Sequence, residues 1–231
     1  MKEFIAGKYR TNFYKKEYEY KSFSPNPINR QFEWKDERTF DLLIKSERQL
    51  ARLNAYSTLI PDIDFFILMH VRKEAEISSR IEGTQTEIKE VLLPKSEIKP
   101  ERRNDWIEVQ NYISAINSAI EKLKNLPLCI CLLNETHKIL LSGVRGSKRQ
   151  PGRIRNGPNW IGGSSLQNAT FIPPHHLEVP GLLSDMENFW HNKKINVPEL
   201  LRIAITHYPV SYTHLRAHET SLHLVCRLLL E

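Results

Sequence analysis

Apolar side chains recur every three to four residues along most of the chain, and this spacing predicts a mainly helical protein. The clearest example follows Asn104, where one helical face would carry Trp106, Val109, Ile113, Ile116, Ile120 and Leu123. Proline suits the first turn of a helix and glycine the residue after its last turn, so these residues mark helix ends. We predict helices over residues 36–56, 61–82, 104–123, 128–141, 180–191 and 198–208. Thr84 and Glu87 predict a capping box for a further short helix that ends before Pro94.

Three segments lack the helical period. Residues 1–33 are rich in Tyr, Lys, Pro and Asn, and we interpret them as an extended arm that crosses a surface. Residues 143–163 hold six of the nine glycines, which predicts a long loop of the kind that tends to be functional. Thr170, Phe171 and Ile172 favour a strand and suggest a small hairpin. The expected fold class is therefore mostly α with one small β element.

The composition of the 231 residues, 40% hydrophobic and 26% charged, excludes a disordered or collagen-like chain. No apolar run approaches the ~20 residues of a membrane span, and the N-terminus lacks the apolar segment of a signal peptide. Cys129, Cys131 and Cys226 form no disulfide framework, so we expect a cytoplasmic protein in which the first two are buried structural thiols. The net charge of +6 permits an acidic or phosphate-bearing partner without requiring one.

Candidate chemistry outside any motif is sparse. There is no GxxxxGK[ST] or GxGxxG phosphate loop and no CxxC pair. His137 is interpreted as a structural histidine of its helix, and His175 and His176 as a solvated turn after two prolines. The long loop carries five cations that are either solvated or placed to meet phosphate. They are Arg145, Lys148, Arg149, Arg153 and Arg155.

The last 22 residues differ from the rest. His214, His218 and His223 suggest a zinc site at first, but the HExxH pattern is one residue too long. Residues 210–220 and 224–230 instead correspond to the two constant parts of a transposon-based sequencing adapter, translated on either side of a sample index. We therefore expect genuine protein to end at Tyr208, or within the codon of Pro209, and residues 210–231 to be adapter translation.

Four short motifs follow one another along the chain. The first is [S/T]xxxE[G/N], which Ser78, Glu82 and Gly83 match. The next two are PGxxR at residues 151–155 and WIGG at residues 160–163, matched by Gly152, Arg155, Trp160, Gly162 and Gly163. The last is ATFIPP at residues 169–174. In this order they resemble the inhibitory helix, two core motifs and the flap segment of the Fic (filamentation induced by cyclic AMP) family, over about residues 20–208.

The resemblance implies a Fic-type helical fold with a small β-hairpin flap. An N-terminal arm and a helical region with the inhibitory helix would occupy residues 1–100. A Fic core, incomplete at its C-terminus, would occupy residues 101–209. Thr170, Phe171 and Ile172 would hold a target segment by strand addition, although packing alone would also explain them.

The resemblance also implies an adenylyltransferase, which moves AMP from ATP, with Mg²⁺, to a hydroxyl of a target protein. Its catalytic motif, HPFx[D/E]GNGRxxR, is absent from this sequence, so no residue is assigned a catalytic or metal-binding role. We expect an autoinhibited full-length parent that uses ATP and Mg²⁺, and an inactive 231-residue chain. The alternative is a non-catalytic or DNA-linked binding module, with nucleic acid bound by a missing C-terminal region or by the basic loop. No membrane partner is expected, and a homo-oligomer is compatible with the sequence.

Overall fold

The computed structural model describes residues 6–14, 18–33, 36–81, 83–144, 147 and 150–213. Within them a two-stranded antiparallel sheet precedes seven helices, which confirms the mostly helical class with a small β element. The strands are β1 (Gly7–Tyr14) and β2 (Tyr18–Pro25). The helices are α1 (Glu37–Ser57), α2 (Ile63–Ile81), α3 (Ile88–Val91), α4 (Arg103–Leu123), α5 (Ile130–Leu140), α6 (Val179–His191) and α7 (Glu199–Thr213).

The N-terminal arm is a β-hairpin, in which Tyr9 lies opposite Phe23 and Asn12 opposite Tyr20. Its inner face packs on the helical body through the buried residues Tyr20, Ser22 and Ser24. The apolar pattern does not predict these strands, because two of the three buried residues are serines. The paired strands therefore lie at residues 7–25, while the predicted flap hairpin is held by a single bridge between Ile161 and Phe171.

Two apolar clusters form the core of the helical body. One joins the end of α4 to α5 and α6, with Leu132, Met186 and Phe189 almost fully buried. The other joins α2, α3 and α5 to the middle of α4. Because α4 contributes to both clusters, it is the central helix of the fold. In contrast, none of the residues of α1 is buried.

Helix ends agree with the predicted bounds to within a few residues. Asp36 caps α1 by accepting the Thr39 N–H at 3.0 Å. The predicted capping box of Thr84 and Glu87 is wrong, because the box that forms at the start of α3 joins Glu87 and Glu90. Thr84 is buried instead at the end of α2. Among the described residues, no helix combines the length and apolar character that a bilayer crossing requires.

The two cysteines of α5 are not free buried thiols as predicted. Cys129 and Cys131 form a disulfide across a single intervening residue, with a Cα–Cα distance of 5.3 Å. The prediction placed both on one helix, where side chains two residues apart point in different directions. Cys129 in fact precedes α5 in an extended conformation and caps the helix, its Sγ accepting the Leu132 N–H. Cys131 is exposed.

Candidate functional site

The end of α2 carries the predicted inhibitory motif and is packed firmly on α4. Val71 and Ala75 belong to the shared core, and the Tyr112 hydroxyl of α4 donates to Glu74 at 3.0 Å. Ser78 and its neighbour Ser79 are buried. Ser78 therefore lies on the inner face of α2.

Gly83 terminates α2 in a left-handed conformation, with φ of 90°. Its N–H donates to Arg80 O at 2.9 Å, and the Thr84 N–H donates to Ser79 O at 3.1 Å. These two bonds make a Schellman motif, whose left-handed position favours glycine. Gly83 thus has a structural reason to follow the helix. Glu82, the central residue of the predicted motif, lies outside the described residues.

The PGxxR loop is docked on α5 through Gly152. The Gly152 N–H donates to Nδ1 of the buried His137 at 2.9 Å, which confirms a structural role for this histidine. Gly152 has φ of 76°, and a Cβ placed there would come within 2.8 Å of Asn134 O. Only glycine allows the loop to approach the helix this closely.

Arg155 ties the PGxxR loop to the end of the flap segment. It is buried, and its guanidinium donates to Gly157 O at 3.0 Å and to Pro174 O. The suggestion that this arginine is a solvated or phosphate-binding loop cation is therefore wrong, since its donors point at backbone carbonyls. Arg153 is exposed. Arg145, Lys148 and Arg149 lie outside the described residues.

The WIGG segment and the flap segment meet as a short antiparallel pair. The Ile161 N–H donates to Phe171 O at 2.8 Å, and the Phe171 N–H returns to Ile161 O at 3.1 Å. Gly162 and Gly163 both have φ of 70° and lie directly against Thr170 and Asn168, where a Cβ would collide. Trp160 is partly exposed at 37%. The WIGG glycines are thus required for the turn that shapes the flap.

The flap continues into the N-terminal hairpin, which the motifs did not predict. The Phe23 N–H of β2 donates to Ile172 O at 2.9 Å. The ring of Phe23 lies between those of Tyr9 and Phe171, with centroid distances of 5.5 and 6.2 Å. Ile172 is buried and Thr170 is exposed. A row of three aromatic rings therefore runs from the flap to β1.

The two histidines after the flap begin a turn, as predicted, but they are only partly solvated. Their rings stack, with centroids 4.1 Å apart, and both residues are half-buried. Burial, followed by the nearby charges of His175 and Arg155, lowers the pKa of His176 below its ordinary value. Burial also raises the pKa of the Tyr20 hydroxyl, although the charge of Arg155 acts in the opposite direction. Burial is therefore the main cause of both shifts on this side of the flap.

An apolar pocket of about 470 Å³ lies away from the flap, between the arm, the start of α1 and the last helix. Ile28, Phe32, Thr39, Leu201 and Ile205 contribute to its lining. None of the motif residues lines it. Arg30, Glu33 and Asp36 also line it, so charged groups stand among its apolar walls.

The residues present do not fit a Mg²⁺–nucleotide site. Within the described part of the chain, no group of three or more His, Cys, Asp or Glu side chains is placed to hold a metal ion. The glycine-rich catalytic motif that would supply the phosphate cradle is not in the sequence. Among the residues that the structure describes, the flap and its supports are thus assembled without such a group of metal ligands.

The architecture is that of a Fic-fold protein. It combines a helical core, a helix end with an inhibitory-type motif, and a short flap supported by PGxxR and WIGG. Residues 40–121 match the family model described as Fic/DOC family N-terminal. The fold is similar to the crystal structure of a Fic family protein from Desulfovibrio desulfuricans G20, with a TM-score of 0.65 and 18% identity. The chain is thus similar to the Fic family in the sequence of residues 40–121 and in its fold.

The similarity covers 87% of this chain and 59% of the Desulfovibrio protein, so the chain spans little more than half the length of that relative. The family-model match runs from α1 to near the end of α4. A comparison with curated protein sequences finds no match.

Proposed function

We propose that the parent of this chain transfers AMP from ATP to a hydroxyl side chain of a target protein, and that the 231-residue chain has no transfer activity. The observation that carries the proposal is the assembled flap. Arg155 joins the PGxxR loop to Pro174, and the bridge between Ile161 and Phe171 shapes the segment that resembles the family's target-docking element. The missing activity follows from the absence of the catalytic motif.

The end of α2 supports an inhibitory role in the parent. Ser78 is buried, and the Schellman motif at Gly83 terminates the helix at a defined point. Residue 82, the position that the family resemblance assigns to the inhibitory glutamate, is the last residue before that glycine. We propose that Glu82 pairs with an arginine of the parent's catalytic motif and thereby obstructs productive placement of the ATP γ-phosphate.

The test begins by resequencing the gene past the codon of Tyr208 and expressing the complete reading frame. The parent and the 231-residue chain are each incubated with ATP labelled on the α-phosphate. We expect no labelling of the 231-residue chain and weak self-labelling of the parent. The parent's Glu82→Gly variant should be labelled clearly more than the unchanged parent. Lys73→Gly is the matched control, because Lys73 is exposed on the same helix and its change loosens α2 without removing the glutamate.

Two results would contradict the proposal. Robust labelling of the 231-residue chain would show that transfer does not need the missing motif. Equal gains in Glu82→Gly and Lys73→Gly would show that a loosened helix, and not the glutamate, controls the parent. The DNA-linked alternative predicts instead a salt-sensitive mobility shift with duplex DNA that does not depend on ATP.

A further inference from the structure

The flap edge at Ile172 is already occupied by the chain's own β2. The backbone N–H and C=O of a strand residue point to the same side, and the Phe23 N–H points at Ile172 O. Phe23 therefore faces the flap, and its pairing with Tyr9 is a non-hydrogen-bonded one. The flap, β2 and β1 consequently lie side by side in that order, and the Ile172 carbonyl is already bonded to β2.

The outer edge of β1 is the open edge of this arrangement. Hydrogen-bonded and non-hydrogen-bonded pairs alternate along an antiparallel ladder, so the backbone groups of Tyr9, Thr11 and Phe13 point away from β2. All three residues are exposed. Within the described part of the chain, β2 is the only strand paired with β1, and no backbone hydrogen bond reaches these outward groups. Unpaired backbone groups in a row form a template for another strand.

The side chains of β1 give this edge a defined chemistry. Tyr9 and Phe13 lie on one face and are each 63% exposed, and Tyr9 continues the aromatic row from Phe23. The other face carries Lys8 and Arg10, both exposed, and β1 contains no acidic residue. The Arg10 guanidinium lies 3.4 Å from the Glu178 carboxylate, so Lys8 contributes most of the positive charge of this edge. Two copies of the edge would place like charges together, which disfavours a second copy of the chain. The alternation suits a strand with apolar side chains on one face and acidic ones on the other.

We propose that the outer edge of β1 binds an extended segment of a partner protein that alternates apolar and acidic side chains, adding it as a further strand. The identity of the partner rests on the proposed function: if the parent transfers AMP, the partner is the target protein of that reaction. Its docking segment would be separated from the flap by β2 and β1, three strand spacings or roughly 14 Å away. The docking segment is thus distinct from the side chain that receives AMP.

The test uses the full 231-residue chain and a fluorescein-labelled, acetylated (Glu-Val)4 peptide amide as the probe. Thr11→Pro removes one outward N–H but no donor of the β1–β2 ladder, a position at which an edge strand accepts proline. Thr11→Val is the matched control, because it changes the side chain and keeps the N–H. We expect fluorescence anisotropy to show saturable binding that Thr11→Pro weakens at least tenfold and Thr11→Val changes less than twofold. A (Lys-Val)4 probe should bind at least tenfold more weakly.

Hydrogen exchange keeps the proposal testable if Thr11→Pro disrupts the hairpin. In the unchanged chain, the amides of Tyr9, Thr11 and Phe13 should gain protection when the (Glu-Val)4 probe binds, while the already paired amides of Arg10 and Asn12 should not change. Absence of saturable binding, equal affinity of the two Thr11 variants, or protection confined to α1 would overturn the proposal. Binding needs no ATP and no catalytic motif. If the parent transfers no AMP but the chain binds the probe, the proposed function is refuted and the docking proposal is supported. If the parent transfers AMP but the chain does not bind the probe, the docking proposal is refuted and the proposed function is supported.

Discussion

Helices α1 and α4 are both 21 residues long, and both carry apolar residues at helical spacing. Their surroundings are opposite. Helix α4 buries six residues, including Tyr112 and Ile116, whereas α1 buries none and leaves Leu53 62% exposed. The comparison teaches that an amphipathic pattern determines where a helix forms, and that burial depends on what the rest of the fold places beside it.

The two helices are also stabilised differently. Helix α4 is held by its neighbours, since Asn111 donates to Leu140 O of α5 and Trp106 to Glu90 O of α3. The contacts of α1 are local, with the Asp36 cap at its start and a Lys45–Asp41 pair at 2.6 Å between successive turns. Local contacts of this kind contribute about 0.3–1 kcal/mol each. Most of the stability of a helix in a protein comes from tertiary packing of its apolar face, so we expect α1 to be the less stable of the two.

The largest expected effect separates the two helices directly. Ile116→Ala in α4 removes a fully buried side chain from the core and should lower the free energy of unfolding by about 2–5 kcal/mol. Leu53→Ala in α1 removes a side chain that is mostly in water and should change it by no more than about 0.5 kcal/mol. Urea denaturation followed by circular dichroism measures both. Equal losses in the two variants would mean that α1 is packed as tightly as α4.

A second pair of variants compares close packing with solvent exposure at two glycines of similar backbone conformation. Gly152→Ala places a side chain at a left-handed φ and against the carbonyl of Asn134. It should lower the free energy of unfolding by on the order of 3 kcal/mol. Gly83→Ala has the same backbone penalty but no atom within 4 Å of the new Cβ, and should cost about 1 kcal/mol. The difference between their urea midpoints isolates the close approach of the PGxxR loop to α5. A Gly83 variant as unstable as the Gly152 variant would contradict this explanation.

Much of this arrangement follows from the sequence, and the exceptions have physical causes. Helix positions were predictable because proline, glycine and apolar spacing act locally. The hairpin was not, because Ser22 and Ser24 carry no apolar signal although both are buried. Motif residues were identified without their partners. Nothing in PGxxR indicates that Arg155 donates to Pro174 O, since that bond spans 19 residues and depends on the tertiary fold. The exposure of α1 is likewise a property of its surroundings and not of its own pattern.

The smallest expected effect is a pH dependence that is confined to the packed body. Burial lowers the folded-state pKa of His176 below its ordinary value of 6.5, whereas α1 contains no histidine. Between the two pKa values the unfolded chain binds more protons than the folded one, so the free energy of unfolding increases with pH there. The contribution of the neutral His176 is complete above pH 6.5 and is lost as the pH falls toward the lowered value.

His176→Gln should therefore give a shallower decline in stability between pH 7 and pH 5 than the unchanged chain, with the difference vanishing above pH 7. Urea midpoints at closely spaced pH values measure the two slopes. Hydrogen exchange compares the amides of α1 with those of α4 in the two proteins. We expect His176→Gln to change the protection of the α1 amides only when the whole chain unfolds. If the slopes coincide, the burial of His176 is not linked to folding. If the α1 amides alone lose protection on acidification, the pH-sensitive group belongs to α1, and the pH dependence is not a property of the packed body.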